Sequence, residues 1–507
     1  MTDWVLAATL ICGASVFTAC TPDNDENPAQ PDSALVQNLV GKWLYNRADG
    51  ASVEAYESSV TTFVMEGSIL KAYTSISLQD YGIWAYKQPT DVEFDGNKVT
   101  LTMQAGDITT VEEMTDITFS GDDMHYTSKY SILRNGKVIL DEPSWKLSCT
   151  KIHDDFSQTI IGSWIGVITS DEPGFIPQPF CEEYRTDGTN TAYLLSRGQW
   201  TEDGAEYAEY FIDGNLLCTR WKYPNGEEQR ENCIFMSFED GVMIVNETYT
   251  SDGKLYTSTT TARKINAIPQ LDVVNKIVGK WITSDGDAKP VATNEKLVID
   301  FISTTKALTS ASFTHNPASG TPWIDMLDTD VSISGNKVTL TNQYDQVTTT
   351  ENVFNIIDIN DNEFLAVLTF SMKVNGAEVL CKVYPVHYVK VNADYAASIV
   401  GKWQGQCTSQ GSVYDDGQEH QWEYRADGTY VYYCKNAGGQ WEPKENNLSQ
   451  YFVAGNLLCT RWQNIGESEN REWWEITING DTMNWSALRR NADGSTFTAT
   501  FQMTKVQ

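Results

Sequence analysis

The sequence predicts an all-β protein built of four tandem antiparallel β-barrels. Three observations predict this fold. Aromatic residues make up 11% of the chain, and they are accompanied by abundant Thr, Val and Ile, which favour strands. Gly, Asn and Asp recur at the short intervals that hairpin turns require. A Gly-x-Trp opening and a Lys-Ile or Lys-Val close occur four times, each pair bracketing about 110 residues, the size of a small domain.

The brackets define four modules, which we name A (35–153), B (154–270), A′ (271–392) and B′ (393–507). Turn clusters predict about eight strands in each module. Closure of such a sheet into a barrel removes its exposed edges. The opening tryptophan and closing lysine of each module are Trp43 and Lys151, Trp164 and Lys264, Trp281 and Lys390, and Trp403 and Lys505.

Longer matches show that the duplication has two levels. Residues 96–102 of module A recur as residues 335–341 of A′, and residues 214–221 of B recur as 455–462 of B′. The order is therefore A-B-A′-B′, and a two-module unit was copied once with an offset of about 240 residues.

The N-terminus resembles that of a bacterial lipoprotein. Residues 4–19 carry no charge and suit the core of a signal peptide. They lead into Cys20, and residues 17–20 resemble the lipobox. This resemblance implies a signal peptide at 1–19, acylation of Cys20 and an acidic disordered tether at 20–34, whose acidic start is similar to the surface-export signal of Bacteroidota lipoproteins. A signal peptide that merely contains a cysteine is the alternative.

The repeated module resembles the lipocalin-like superfamily. The Gly-x-Trp on a first strand, the short helical lead-in before it and the lysine on the last strand carry this resemblance. It is closest to the lipocalin-like domains of Bacteroidota lipoproteins. It implies four lipocalin-like (calycin-type) barrels, with each tryptophan at the closed end and each lysine stacked over it by a cation–π contact.

Charge and motif content exclude several functions. A net charge of −32 argues against nucleic acid, because binding polyphosphate needs clustered Lys and Arg. None of the five His lies in a nucleophile motif, and no His or Cys pair has metal-ligand spacing. We therefore expect no enzyme, no metal and no cofactor. Only Cys218 and Cys459 match between modules, so no shared disulfide is implied, although a bridge between Cys407 and Cys434 stays open.

One candidate ligand site is a charged cluster that both B-type modules keep. On a strand, the Glu and Arg of its Glu-Tyr-Arg segment share one face and the Tyr takes the other. The charged pair forms either a polar cup inside the barrel or an ion pair on the outside, where it would contribute little. The cluster comprises Glu183, Arg185 and Arg220 in B, and Glu423, Arg425 and Arg461 in B′.

A second candidate site is the tryptophan excess of module B′. Adjacent Trp473 and Trp474 on a strand face opposite sides, so we expect at least one to be exposed. Flat aromatic faces bind sugars or apolar ligands. Trp474 and Trp485 are the candidates, whereas core packing explains Trp403, Trp441 and Trp462, whose counterparts in B are Trp164, Trp200 and Trp221.

These observations predict a surface-exposed outer-membrane lipoprotein that acts as a non-enzymatic ligand-binding or scaffold protein. Its expected partners are the membrane, through the lipid anchor, and a glycan or small apolar ligand. One rival is a glycan-active enzyme with two carboxylates roughly 5–10 Å apart. Another is an adhesion or inhibitor protein, which predicts exposed apolar loops at the barrel mouths and no internal cavity.

Overall fold

The computed structural model describes residues 33–286, 289–311, 323–343, 346–410, 412–491 and 493–506. The predicted signal peptide, Cys20 and nearly all of the predicted tether lie outside these residues. In the described part of the chain, no helix has the length and apolar character needed to cross a membrane.

Module A closes into a barrel. Helix α1 (Ser33–Leu39) precedes strands β1 (Gly41–Ala48), β2 (Ala51–Ser52), β3 (Ser59–Glu66), β4 (Ile69–Leu78), β5 (Ile83–Asp95), β6 (Lys98–Ala105), β7 (Ile108–Ser120), β8 (Asp123–Arg134), β9 (Lys137–Asp141) and β10 (Trp145–Ile152), with a 3-10 turn at Ala55–Glu57. Strand β10 pairs with both β1 and β8, so an antiparallel ring of eight strands is complete.

Module B forms a nine-stranded sheet with an open path. Its strands are β11 (Gly162–Ser170), β12 (Gln178–Tyr184), β13 (Asn190–Ser196), β14 (Gln199–Glu202), β15 (Tyr207–Asp213), β16 (Leu216–Lys222), β17 (Glu228–Glu239), β18 (Val242–Ser251) and β19 (Lys254–Ile265). Strands β14 and β15 are the two ends of the path. A single bridge between Thr189 and Glu209 links the two sides of the gap.

Module A′ closes as module A does. Helix α2 (Val273–Lys276) precedes β20 (Gly279–Gly286), β21 (Lys289–Pro290), β22 (Leu297–Phe301), β23 (Lys306–Ala311), β24 (Ile324–Ser334), β25 (Lys337–Gln343), β26 (Thr348–Ile359), β27 (Glu363–Val374) and β28 (Ala377–Lys390), with a 3-10 turn at Thr293–Glu295. Pairing of β20 with β28 completes the ring.

Module B′ repeats the open path of B. Its strands are β29 (Gly401–Cys407), β30 (Glu419–Tyr424), β31 (Tyr430–Lys435), β32 (Trp441–Pro443), β33 (Asn446–Ala454), β34 (Leu457–Asn464), β35 (Asn470–Asn479), β36 (Thr482–Arg490) and β37 (Thr496–Val506). One bridge, between Thr429 and Gln450, spans the gap.

The predicted all-β fold is confirmed, and the two A-type modules are closed eight-stranded barrels. The expectation of four equally closed barrels differs from the structure in the B-type modules, whose ladders stay open. In module B, strand β14 at the edge of the gap contacts module A′. The indole N–H of Trp200 on β14 donates to the carbonyl of Ile357 in A′ at 2.9 Å, so this strand packs on the next module and not against β15.

Each Gly-x-Trp tryptophan is buried under the lysine of its module's last strand. The four indoles are 0–2% exposed. Each N–H donates to the carbonyl four residues earlier, at 2.8 Å to Leu39, 2.6 Å to Ile160, 2.7 Å to Ile277 and 2.7 Å to Ile399. The lysine nitrogens lie over the rings at 5.3, 5.4, 5.0 and 5.1 Å from the centroids, in chain order.

The glycine of this motif makes room for the lysine. Gly41 has a φ of +138°, and a Cβ on it would lie 2.7 Å from Cε of Lys151. A side chain there would be strained by its backbone and would displace the lysine from the tryptophan. The other three modules have the same close approach. Glycine, tryptophan and lysine are therefore one unit of packing that closes one end of each module.

The duplicated 214–221 segment docks B on A. Phe211, Leu216 and Cys218 pack with Leu44 and Val60 of module A in one buried cluster. Their counterparts Phe452, Leu457 and Cys459 pack in the same way with Ile282 and Val298 of A′. The long match between B and B′ therefore has a structural reason, because both copies bury this segment against a neighbouring module.

Polar contacts add to the docking surfaces. Fully buried Asp213 of B accepts hydrogen bonds from Lys42 Nζ at 2.5 Å and from Ser75 Oγ at 2.6 Å, both in module A. Between B and A′, Arg263 contacts Asp285 at 2.7 Å. Asp285 lies in turn 2.8 Å from Nδ1 of buried His387. The modules thus form a continuous packed chain through A, B, A′ and B′.

All eight described cysteines are free thiols. The bridge between Cys407 and Cys434 that the sequence left open is therefore not formed. Cys407 lies instead beside Ser409 Oγ, at 3.2 Å.

Truncation of the closing tryptophan in A′ should destabilise that barrel. Trp281→Ala removes a fully buried indole and leaves the carbonyl of Ile277 without its donor. We expect a loss of about 3–5 kcal/mol, the range for large aromatic truncations. Hydrogen exchange of the strands of A′, measured by mass spectrometry, checks this. Trp145→Ala, at a position 44% exposed, is the control. Unchanged exchange in Trp281→Ala would show that the tryptophan does not hold the barrel together.

Candidate functional site

The barrel of module A encloses a cavity of about 510 Å³. Its volume lies in the range of small-molecule sites. Trp43 lies at its closed end, and Tyr56 and Trp145, which are 54% and 44% exposed, lie at its open end. The wall between them is largely apolar and aromatic, and it includes Phe63, Ile76, Leu101, Met114, Met124, Tyr126, Ile132, Leu147 and Cys149.

The matching barrel of A′ is filled by three aromatic rings. Phe364 stacks on Tyr388 with centroids 4.8 Å apart, and Phe354 lies edge-on to Tyr388 at 5.7 Å. Strand pairing identifies the equivalents of these residues in A. Phe354 pairs with Val338 in A′, and Met114 pairs with Val99 at the same place in A, so Met114 is the equivalent of Phe354. Phe364 pairs with Tyr388 in A′, and Met124 pairs with Cys149 at the same place in A. At these three positions A has two methionines and a cysteine where A′ has three rings.

A carboxylate faces this cavity. Glu112 on β7 accepts hydrogen bonds at the same oxygen, Oε1, from Tyr126 at 3.1 Å and from Ser128 at 2.8 Å. Burial raises the pKa of Glu112 above its ordinary value, although both donors lower it. Burial also raises the pKa of Cys149 to about 12, so this thiol stays protonated and is a poor nucleophile.

Module B′ contains a smaller cavity of about 220 Å³. Rings form most of its wall, namely Trp422, Tyr424, Tyr430, Tyr432, Trp462, Trp474 and Trp485. Lys444, Asn446, Thr460, Asn464 and Glu472 add polar groups.

Four polar atoms in the wall of the B′ cavity have no hydrogen-bond partner. They are the Tyr424 hydroxyl, the Trp485 indole N–H, and the Oδ1 atoms of Asn446 and Asn464. The tyrosine and the tryptophan are 1% and 3% exposed. Buried polar atoms rarely stay unpaired in folded proteins. These four atoms are covered by their neighbours, so a ligand in the cavity would contact the flat rings and the other polar groups of the wall.

The interior of module B contains carboxylates, and one of them, Glu182, is the equivalent of Trp422 in the wall of the B′ cavity. Glu182 pairs with Trp164 in B, and Trp422 pairs with Trp403 in B′. Burial raises the pKa of Glu182 to about 7. Burial and contact with Glu231 raise the pKa of Glu247 to about 8. The side chains of Glu231 and Glu247 are within hydrogen-bonding reach of each other, closer than the two carboxylates of a glycosidase.

Of the two alternatives for the Glu-Tyr-Arg segments, the structure has the ion pair on the outer face and not the polar cup. Tyr184 takes the inner face, where it is 3% exposed and packs in the core of B. Glu183 and Arg185 make an ion pair at 2.5 Å whose side chains are 34% and 39% exposed. In B′, Glu423 and Arg425 pair in the same way at 3.4 Å, while Tyr424 is buried. That the charged residues bind a ligand stays a prediction.

Arg220 and Arg461 lie at the docking surfaces between modules. The Arg220 guanidinium stacks 4.6 Å from the ring centroid of Trp84 in module A. The Arg461 guanidinium stacks 4.9 Å from that of Trp323 in A′. Both make a cation–π contact with the neighbouring module. This contact gives the repeated Thr-Arg-Trp segment (219–221 and 460–462) a structural role. The predicted ligand binding by Arg220 and Arg461 stays a prediction.

The expectation that Trp473 or Trp474 is exposed is wrong. Trp473 is 0% exposed because the face of B′ that carries it docks on A′. Trp474 is 2% exposed and lines the B′ cavity together with Trp485. The structure therefore brings the two candidate tryptophans into one cavity.

Comparisons with known proteins yield distant structural matches. The chain is similar to a double mutant of transferrin binding protein B from Haemophilus parasuis Hp5, with 8% identity, 92% of this chain and 96% of that chain covered, and a TM-score of 0.18. It is similar to isotype 1 transferrin binding protein B from serogroup B Neisseria meningitidis, with 9% identity, 77% and 85% coverage, and a TM-score of 0.15. A DUF3598-family protein of unknown function from Nostoc punctiforme PCC 73102 has 9% identity, 70% and 97% coverage, and a TM-score of 0.12.

TM-scores this low carry no argument about function. No protein-family model matches the chain, and no curated protein matches it. The site is therefore defined by the chain's own residues.

Sequence reasoning missed the cavity of module A and its carboxylate. A signal for the cavity was present at two inward positions in the alignment of A with A′. Met114 is aligned with Phe354, and Cys149 is aligned with Tyr388. In the described residues, no cluster of His, Cys, Asp and Glu has the geometry to hold a metal ion.

Raising the pH should destabilise module B through its buried carboxyls. The pKa of Glu247 rises from 4.5 to about 8 on folding, so the folded state binds its proton more tightly. This contribution to stability is fully present below pH 4.5 and is lost as pH rises through about 8. Glu247→Gln should therefore flatten the fall of the melting temperature between pH 5 and 8, measured by differential scanning calorimetry. Exposed Glu227→Gln should keep the slope of the unmodified chain, and an equal slope in Glu247→Gln would exclude this titration.

Proposed function

We propose that this chain is a non-enzymatic, small-ligand-binding lipoprotein of the bacterial cell envelope. Its four modules, within the boundaries given above, belong to the lipocalin-like type, and Cys20 anchors them to the outer membrane. Module A is the main ligand-binding chamber. Module B′ is a second chamber, of a size and polarity that suit one sugar unit. Modules B and A′ position these two chambers.

The single observation that carries the proposal is the cavity of module A. Eight-stranded barrels are either filled by side chains or hold one small ligand. In the described residues of A′, Phe354, Phe364 and Tyr388 pack together in the core, while A encloses about 510 Å³. Leaving such a volume unfilled costs stability, since each lost contact weakens the core. A binding role explains why module A keeps it.

The adhesion or inhibitor rival has less support, because it predicts barrels without internal cavities, and modules A and B′ both contain one. The glycan-active enzyme needs two separated carboxylates in a cleft flanked by tryptophan. Glu472 is the only carboxylate in the wall of the B′ cavity, every wall residue of which is described, so general acid and general base are not both available there. The enzyme alternative therefore concerns the module A cavity, whose wall contains four carboxylates and two tryptophans.

Placing two aromatic side chains of A′ in the chamber should weaken ligand binding. The probe is N-phenyl-1-naphthylamine, which is uncharged at pH 7 and fluoresces in apolar surroundings. We expect the full chain to bind it and the double variant Met114→Phe/Met124→Phe to bind it more weakly, because a phenyl ring is bulkier and more rigid than a methionine side chain and cannot move aside for the probe. A fluorescence titration measures this.

Val138→Phe, at a position 54% exposed on β9, adds a ring outside the chamber and is the control. Melting curves verify that both variants fold. Equal binding of the probe by the double variant and the control would place binding elsewhere and defeat the proposal for module A.

The anchor is tested separately. If Cys20 is acylated, mass spectrometry of protein from its native envelope should find a lipid-modified cysteine at the mature N-terminus, and the protein should sediment with membranes. Acyl chains supply this affinity through their buried methylene groups. Cys20→Ala should release the protein into the soluble fraction. An unmodified Cys20 in the native protein would rule out the anchor and leave the ligand-binding proposal standing.

A further inference from the structure

The charged side chains in the wall of the module A cavity all have one sign. Four carboxylates line it, namely Glu57, Asp80, Glu112 and Glu142. No Lys, Arg or His is among its wall residues, all of which lie in the described part of the chain. Such a cavity repels a fatty acid or any other anion and attracts a cation.

Glu112 is the carboxylate placed inside the apolar part of the cavity. Its neighbours across the strands are Leu101 and Tyr130. A buried carboxylate without a cation is costly, and hydrogen bonds from two hydroxyls offset only part of that cost. Both bonds end on Oε1, so Oε2 is available to accept a third hydrogen bond. A positively charged donor at Oε2 would complete this site.

Aromatic rings surround the same volume. Tyr45, Tyr126 and Tyr130 lie in the wall together with Trp145. Trp43 also lies there, but Lys151 already stacks over its ring. The face of an aromatic ring attracts a cation, most strongly where water is excluded. Carboxylate and ring faces together are the chemistry that recognises an organic ammonium ion.

The filled barrel of A′ lacks this arrangement. Strand pairing shows that Asn352 of A′ is the equivalent of Glu112, since it pairs with Leu340 as Glu112 pairs with Leu101. Leu368 is the equivalent of Ser128, since it pairs with Phe354 as Ser128 pairs with Met114. The carboxylate and its donor therefore occur in the module that has the cavity and are absent at the equivalent positions of the module that does not. Within one chain, the charge accompanies the space for a ligand.

We propose that the module A chamber binds an organic ammonium ion, with the nitrogen at Glu112 and the apolar body along the methionine and leucine wall. This inference rests on the proposed ligand-binding function and names the class of its ligand. The carboxylates at the chamber's open end, Asp80 and Glu142, draw the cation in before it reaches Glu112. A neutral body of the same shape fits the wall but leaves the charge of Glu112 unpaired.

Three probes with one chain length test the inference: n-octylamine, 1-octanol and octanoate, titrated into the full chain at pH 7 by calorimetry. We expect octylamine to bind at least about tenfold more tightly than octanol, and octanoate to bind more weakly than octanol. Glu112→Gln should reduce octylamine affinity about tenfold and leave octanol unchanged. Gln keeps the shape of Glu and can still accept hydrogen bonds from Tyr126 and Ser128, so the barrel should persist.

Glu113→Gln is the matched control. It makes the same change one residue along β7, where Glu113 pairs with Lys98 at 2.9 Å and lies outside the cavity wall. It should leave all three affinities unchanged.

The outcomes separate the two proposals. Octanol or octanoate binding as tightly as octylamine overturns the ammonium assignment, as does unchanged octylamine binding in a folded Glu112→Gln. Binding of N-phenyl-1-naphthylamine with no preference for octylamine leaves the ligand-binding function intact. If neither that probe nor any octyl compound binds, the function itself fails. Should Glu112→Gln not fold, the order of the three probes on the unmodified chain decides the matter.

Discussion

The packing of one lysine over one tryptophan determines how each module is built. The lysine side chain crosses the backbone of the opening glycine to reach the ring, and the ring's N–H is bound by a carbonyl from the preceding turn. First strand, last strand and lead-in are therefore fixed at one end of every module. With that end closed, the opposite end and the interior can vary without loss of the fold.

Variation of the interior is what distinguishes the four modules. In A′, three aromatic side chains pack together inside the barrel, and the barrel of A encloses a cavity. In B′, Trp422 lines a cavity, while its equivalent in B is the buried carboxyl of Glu182. Inward positions accept such changes because side chains alternate strictly along a strand, so each exchange alters the interior and spares the outer face.

Much of the architecture could be predicted from the sequence, because strand alternation, turns and the repeat are local patterns. The sequence singled out Trp474 and Trp485, but as exposed rings and not as the wall of a cavity. The docking surfaces could not be predicted, since Arg220 meets Trp84 across a module boundary and no spacing along the chain encodes that contact. Glu112 was missed for a related reason. A shift of one residue in strand pairing turns every side chain of the strand to the opposite face. The sequence alone therefore cannot tell whether Glu112 or Glu113 faces the interior.

The docking of B on A explains why two modules were copied together. Phe211, Leu216 and Cys218 are buried only because module A covers them, and their counterparts in B′ are covered by A′. A lone B copy would have carried an apolar patch into solvent, where it favours aggregation. When A and B were copied together, the copy of A covered the apolar face of the copy of B. The unit of inheritance in this chain is thus the couple and not the single barrel, and descendants with an odd number of modules would each need a new way to hide that face.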